Sequence, residues 1–426
     1  MSEIRSVTAR EILDSRGNPA LEVEVESAKG TCGRASVPAG ASTGAAEAFE
    51  LRDGDKSRYD GKGVRKAVRN VEELIAPEII GMDLFDQCGI DQELCLADGT
   101  PEKSSLGANA ILGVSLACAR TAAMELGLPL YRYLGGANAK CLPVPMLNVF
   151  NGGLHSGAPC AFQEFMIRCV RADSFSEALC KSRRVIAALR QLLLDRNWSV
   201  AVGDEGGFAP SGFKGGSCAV LELLTSAIEK AGLTPGSDMT IALDVAATSF
   251  YHDGIYDYAI FEENGAKLSP AEQIGFLKEL TRKFPVDSIE DGLAENSWED
   301  WQILTAELGD KCQLVGDDLF VTNSRRLREG IGKKCANAVL LKPNQIGTLS
   351  ECCDTAFLAH NNHYRTIVSH RSGETCDPFI ADLAVALGSG QIKAGSLARG
   401  ERIAKYNQLL RIEEQLGETA VYGMFK

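Results

Sequence analysis

The sequence predicts an α+β domain followed by a (β/α) barrel. Its 426 residues exceed what a single compact core ordinarily serves, so two domains are expected. The texture changes across residues 129–145, a proline-bounded stretch containing Gly135-Gly136. Beyond it, short β-branched runs recur, each closing on a polar residue, at intervals that fit a strand plus a crossover helix.

In the first domain, placed at residues 1–135, residues 21–25 (Leu-Glu-Val-Glu-Val) alternate as a half-buried strand does. A loop of small residues, Pro38-Ala-Gly-Ala-Ser-Thr-Gly44, follows, and residues 107–126 form an Ala- and Leu-rich helical stretch. In the second domain, placed at residues 142–426, the runs close on Asp244, Glu290, Asp317, Lys342, Arg371 and Lys393, and the later spacings are 27, 25, 29 and 22 residues. Helical patterns fill the gaps, as at residues 269–283 and 377–387. A barrel assembles its site from the carboxyl ends of many strands, whereas a doubly wound open sheet gathers its ligand at one switch point. Six polar strand ends favour the barrel. With residues 146–150, 163–168 and 199–202 there are nine candidate strands where a closed barrel needs eight, and the pattern leaves open which one is extra.

Composition narrows the function classes. Apolar residues at 45% and charged residues at 24% are the balance of a globular protein. A net charge of −13 argues against nucleic acid and anionic membranes as partners. No stretch approaches the ~18 apolar residues of a membrane span, and residues 1–5 carry no secretory h-region. The 14 cysteines are scattered without a Cys-x-x-Cys pair, so free thiols in a reducing cytoplasm are expected.

Three carboxylates at successive strand ends, Asp244, Glu290 and Asp317, are an oxygen-only set that suits a hard cation such as Mg²⁺. Lys342, closing an apolar run, is a candidate base whose pKa nearby cations would depress. Glu205, in the turn Gly203-Asp-Glu-Gly-Gly207, is a candidate general acid. Ser369-His-Arg-Ser-Gly-Glu374 offers an arginine fork and a hydroxyl for a phosphate or carboxylate, with Lys393 and Lys342 completing the cationic lining.

These residues and others resemble the enolase family nearly end to end. The matching stretches include Glu11-Ile-Leu-Asp-Ser-Arg-Gly-Asn-Pro19, Gly40-Ala-Ser-Thr-Gly44, Gln163-Glu-Phe-Met166, Ser288-Ile-Glu-Asp291, Leu341-Lys-Pro-Asn-Gln-Ile-Gly-Thr348 and Ser369-His-Arg-Ser-Gly-Glu-Thr375. The resemblance implies an N-terminal α+β cap and a modified (β/α)8 barrel in which one early strand runs antiparallel. It implies reversible dehydration of 2-phosphoglycerate to phosphoenolpyruvate with two Mg²⁺ per site. Asp244, Glu290 and Asp317 would hold the first ion, and Ser42 would help hold the second. Lys342 would be the base and Glu205 the acid, with Glu164 beside it. His155, Gln163, His370, Arg371, Ser372 and Lys393 would contact substrate. A cytoplasmic homodimer or dimer-based octamer is also implied.

Three departures from the family pattern stand out: Ala39 where serine is usual, Ala158-Pro159 where asparagine leads, and Ser249 where glutamate is frequent. Ala39 and Ala158 fall in loops expected to close over the site. The departures leave open a paralogue acting on a related phosphorylated or phosphonate acid; a separate alternative is a non-catalytic binding protein on the same fold, against which the presence of every expected catalytic residue type speaks.

Overall fold

The alternation at residues 21–25 becomes the middle strand of an antiparallel meander, β1 (Ile4–Leu13), β2 (Pro19–Ser27) and β3 (Cys32–Val37). Leu21, Val23 and Val25 are buried, while Glu22 and Glu24 on the other face pair with Arg10 and Arg34. Helix α1 (Ala108–Glu125) covers the apolar face. It lies so close that a Cβ on Gly33 would sit 2.6 Å from the Thr121 backbone nitrogen. The Thr121 hydroxyl donates to the Val25 carbonyl at 3.0 Å. The computed structural model describes residues 2–40 and 44–423, so Ser42 lies outside the described residues.

Eight strands close the barrel: β4 (Val144–Asn151), β5 (Glu164–Cys169), β6 (Met239–Asp244), β7 (Val286–Glu290), β8 (Gln313–Gly316), β9 (Ala338–Leu341), β10 (Arg365–Ser369) and β11 (Gln391–Lys393). The ring runs β7-β8-β9-β10-β11-β4-β5-β6. β5 is antiparallel to both β4 and β6; the other neighbours are parallel. The reversal has a topological cause. Only a loop joins β4 to β5, which makes them an antiparallel pair. Two helices, α2 (Phe175–Leu194) and α3 (Gly216–Lys230), then pack on each other and return the chain to the end it left. The link between these helices therefore lies at the catalytic end, and it carries Glu205. The ninth candidate, residues 199–202, belongs to this link and is not a barrel strand; Val202 makes one isolated bridge, to Phe208. Glycine is required here, because a Cβ on Gly207 would meet the Asn151 Oδ1 at 2.6 Å.

The remaining units alternate as read, with helices α4 (Pro270–Lys283), α5 (Trp298–Leu308), α6 (Ser324–Lys333), α7 (Leu349–Asn361), α8 (Phe379–Ala386) and α9 (Gly400–Leu416). α4 starts at a capping box between Ser269 and Glu272. Met146, Met166, Ala242, Val315, Ala338, Leu340 and Ile367 plug the barrel centre, so the floor of the catalytic end is apolar. Among the described residues, no helix is long and apolar enough to cross a membrane.

The cap sits on the catalytic end. Ala39 and Gly373 exchange backbone hydrogen bonds of 2.8 and 2.9 Å. Because this pairing is made by the backbone, it needs no hydroxyl at position 39. Arg120 on α1 forms a bidentate pair with Asp377 (2.6 and 2.9 Å), which also accepts from the Ser36 amide at 3.0 Å. Burial alone would raise the Asp377 carboxyl; the Arg120 charge and hydrogen bonds outweigh it and hold the group below its ordinary value. A depressed folded value means the contribution is present above about pH 4 and is lost as pH falls through the folded value. Asp377→Asn is expected to cost about 3 kcal/mol at neutral pH, since it leaves a largely buried arginine unpaired. The loss of stability in acid should also be shallower in the variant. Denaturant unfolding across a pH series checks both; equal stability at neutral pH would remove the pair from the account.

Candidate active site

A cavity of about 240 Å³ opens at the catalytic end of the barrel. Of the residues nominated from sequence, His155, Gln163, Glu164, Glu205, Asp244, Asp317, Lys342, His370, Arg371, Ser372 and Lys393 all line it. Glu290 lies directly behind, one hydrogen bond away through Lys393. Ser42 is outside the described residues.

The acids arrive on neighbouring strands. Asp244 and Glu290 are paired in register across β6 and β7, and Asp317 follows β8. Two lysines divide them. The Lys393 Nζ lies 3.0 Å from Asp244, 2.9 and 3.0 Å from the Glu290 oxygens and 3.2 Å from Glu164. The Lys342 Nζ donates to Asp317, whose other oxygen accepts from the Gln345 amide at 2.9 Å. Burial first, then the charge of Asp244, pushes Glu290 well above the usual carboxylate range. Asp317 goes the other way because Lys342 outweighs its burial. Burial works to lower Lys342, but the Asp317 charge prevails and holds the ammonium above the ordinary lysine value.

Two further acids share this corner. Asp291 accepts the backbone amides of Asp317 and Asp318 at 3.1 and 2.8 Å. Ligand atoms of Asp291, Asp317 and Asp318 all lie within 4.8 Å of one another. Burial and then Asp317 push Asp318 up to about 7. Sequence reasoning passed over both residues, although the doublets Glu290-Asp291 and Asp317-Asp318 were the signal. Buried carboxylates in this number, with two lysines between them, are a donor set for a hard divalent cation.

On the opposite side, Glu164 begins β5, and because that strand is reversed its first residue points to the catalytic end, in register with Asn151 and Asp244. Glu205 accepts from the Asn148 amide at 2.9 Å. The His155 Nδ1 is 3.6 Å from Glu205, and the His370 Nε2 is 4.0 Å from it. Ligand atoms of His155, Glu164 and Glu205 lie within 4.8 Å of one another. Burial and the charge of Glu205 push Glu164 well above its ordinary value. Glu205 is held well below, because the positive charges around it, Arg402 and Lys393 among them, outweigh burial. Such a pair titrates as a unit. Among the described residues, Gln163 Oε1, Glu164 Oε2 and both His155 ring nitrogens are buried without a hydrogen-bond partner. Buried polar atoms of this kind, converging on one cavity, suit a polar ligand.

The segment after β10 supplies the cationic wall. Arg402, on α9, is fully buried and donates to the carbonyls of Asp204, Arg371 and Ser372 at 3.1, 2.7 and 2.6 Å. It also donates to the His370 Nδ1 at 2.5 Å. An arginine can only donate, so Nδ1 accepts and the ring proton lies on Nε2, facing Glu205. Burial and then nearby cations hold His370 well below its ordinary value, hence neutral. Arg371 donates to both oxygens of Glu47 (3.0 and 3.1 Å) and to Asn344 (3.0 Å). Arg402 and Glu47 were also missed. Arg402 was detectable as one of several charged residues on the buried face of α9, with Lys405; for Glu47 the sequence holds no comparable signal. Of the three departures, Ser249 lines the cavity and Ala158 does not.

Comparison with known families agrees with this arrangement. Residues 4–134 match the family model described as the enolase N-terminal domain, and residues 139–425 match that of the enolase C-terminal TIM barrel domain. The chain belongs to the enolase family.

Proposed function

We propose that the protein reversibly dehydrates 2-phosphoglycerate to phosphoenolpyruvate and water, the phosphopyruvate hydratase reaction of glycolysis and gluconeogenesis. One observation carries the reading. Lys342 follows β9 and Glu164 begins β5, and these strands stand four places apart in a ring of eight. A base and an acid pair thus face each other across the mouth, as an elimination with proton and hydroxyl on opposite faces requires.

Lys342 takes the C2 proton, and the C–H electron pair moves into the adjacent carboxylate to give an enolate. That pair then forms the C2–C3 double bond and expels the C3 hydroxyl, which leaves as water after protonation from the other face. We assign delivery to Glu205, with Glu164 beside it. Arg371, Ser372 and Lys393 hold the anionic groups; His155, Gln163 and His370 complete the contacts.

The strand-end acids suit a hard divalent cation: Asp244, Glu290 and Asp317 would hold one Mg²⁺, and Ser42 would help hold a second together with substrate. Bound there, the cations would supply positive charge for the enolate, and an Asp317 neutralised in this way would no longer favour the proton on Lys342. The cavity's own residues make this need acute. Glu164, Glu205, Asp291 and Asp318 join the three strand-end acids, and Glu47 matches Arg371. The reading extends to a cytoplasmic homo-oligomer. A second reading, a lyase for a related phosphorylated acid, draws on Ser249 in the cavity lining.

Purified protein with Mg²⁺ is expected to form phosphoenolpyruvate from 2-phosphoglycerate, and a chelator should stop it. Lys342→Ala should lower kcat on the order of 10²–10⁴-fold with an unchanged circular dichroism spectrum. No phosphoenolpyruvate in excess Mg²⁺ would sink the reading. Independently of turnover, Mg²⁺ should raise the Tm by mass action, and Glu290→Gln should shrink that rise. A melting curve indifferent to millimolar Mg²⁺ would contradict the metal assignment.

A further inference from the structure

We propose that Glu47, contributed by the cap, is the positioning residue for Arg371, and that it sets the affinity of the site for anions. This rests on the reading of Arg371 as an anion donor. The Glu47 carboxylate takes both guanidinium nitrogens of Arg371, at 3.0 and 3.1 Å, and both side chains are buried. A bidentate pair of this kind fixes the plane of the guanidinium, which one hydrogen bond cannot do. Asn344 at 3.0 Å restrains the Nη1 atom further.

The same carboxylate is tied down on its other side. Its Oε1 accepts from the Gly44 amide at 3.1 Å and from the Gln345 side chain at 3.2 Å. The Ala48 amide donates to the Gln345 carbonyl at 2.8 Å, which fastens the cap segment to the barrel just after β9. The Gln345 amide nitrogen also reaches Asp317 at 2.9 Å. One carboxylate from the cap therefore joins the arginine of the anion wall to a glutamine that touches the acid cluster. Its negative charge opposes that of Arg371, so Glu47 does not strengthen attraction for an anion; what it adds is orientation, set before the ligand arrives.

The test uses the full chain with Glu47→Gln and Glu47→Ala. Inorganic phosphate binding is measured by calorimetry, and KM and kcat for 2-phosphoglycerate are measured in parallel. Glu47→Ala should weaken phosphate binding and raise KM by about tenfold, the scale of one charge-assisted hydrogen bond. Its kcat should change far less. Glu47→Gln, which keeps one acceptor oxygen, should fall between, and it carries the test should the alanine variant fail to fold. A merely structural role would lower the Tm without separating KM from kcat. Unchanged or tighter phosphate binding would overturn the proposal. Wild type inert toward 2-phosphoglycerate would instead sink the functional reading, and the phosphate titration would still decide the role of Glu47.

Discussion

Buried negative charge at the mouth of the barrel is the constraint on which the rest of the site depends. Asp244, Glu290 and Asp317 arrive on adjacent strand ends, and Asp291 and Asp318 crowd the same corner. Carboxylates out of water repel one another and seek either protons or cations. Here Lys393 bridges Asp244 and Glu290, and Lys342 takes Asp317. The same balance keeps Lys342 charged, so whatever neutralises Asp317 also governs the basicity of the lysine. On the proposed reading, metal affinity and the basicity of Lys342 would be linked through Asp317.

The reversed strand β5 gives the site its second side. A barrel of eight parallel strands would place the start of β5 at the far end from the active site. Reversal brings Glu164 to the mouth, opposite Lys342, and the helix pair that follows carries Glu205 to the same place. The cap completes the enclosure through the Ala39–Gly373 backbone pairing, the Arg120–Asp377 pair and the Glu47–Arg371 pair.

Legibility in the sequence followed from this geometry. Asp244, Glu290, Asp317, Lys342 and Lys393 close β-branched runs in repeated parallel units, so spacing alone exposed them. Glu164 opens its strand, and the residue that closes the same run, Arg168, lies at the opposite end, paired with Asp287. Only the family resemblance pointed to Glu164. The link at residues 199–202 looked like a strand because Val200 and Val202 alternate with small residues, but its backbone turns to carry Glu205 instead. Glu47 and Arg371 stand far apart in the chain, and no local pattern records a contact between a cap loop and a barrel loop. The helical pattern at residues 377–387 starts two residues before the helix does, because Asp377 serves the cap through Arg120 and the helix begins at Phe379.

The most direct measurement of the central claim, that Lys342 and the Glu164–Glu205 pair act on opposite faces, separates proton removal from loss of the hydroxyl. Exchange of the C2 hydrogen of 2-phosphoglycerate with deuterated solvent can be followed by proton NMR alongside phosphoenolpyruvate formation. Glu205→Gln should retain the exchange while losing dehydration, and Lys342→Ala should lose both. Exchange at the wild-type rate in Lys342→Ala would contradict the account.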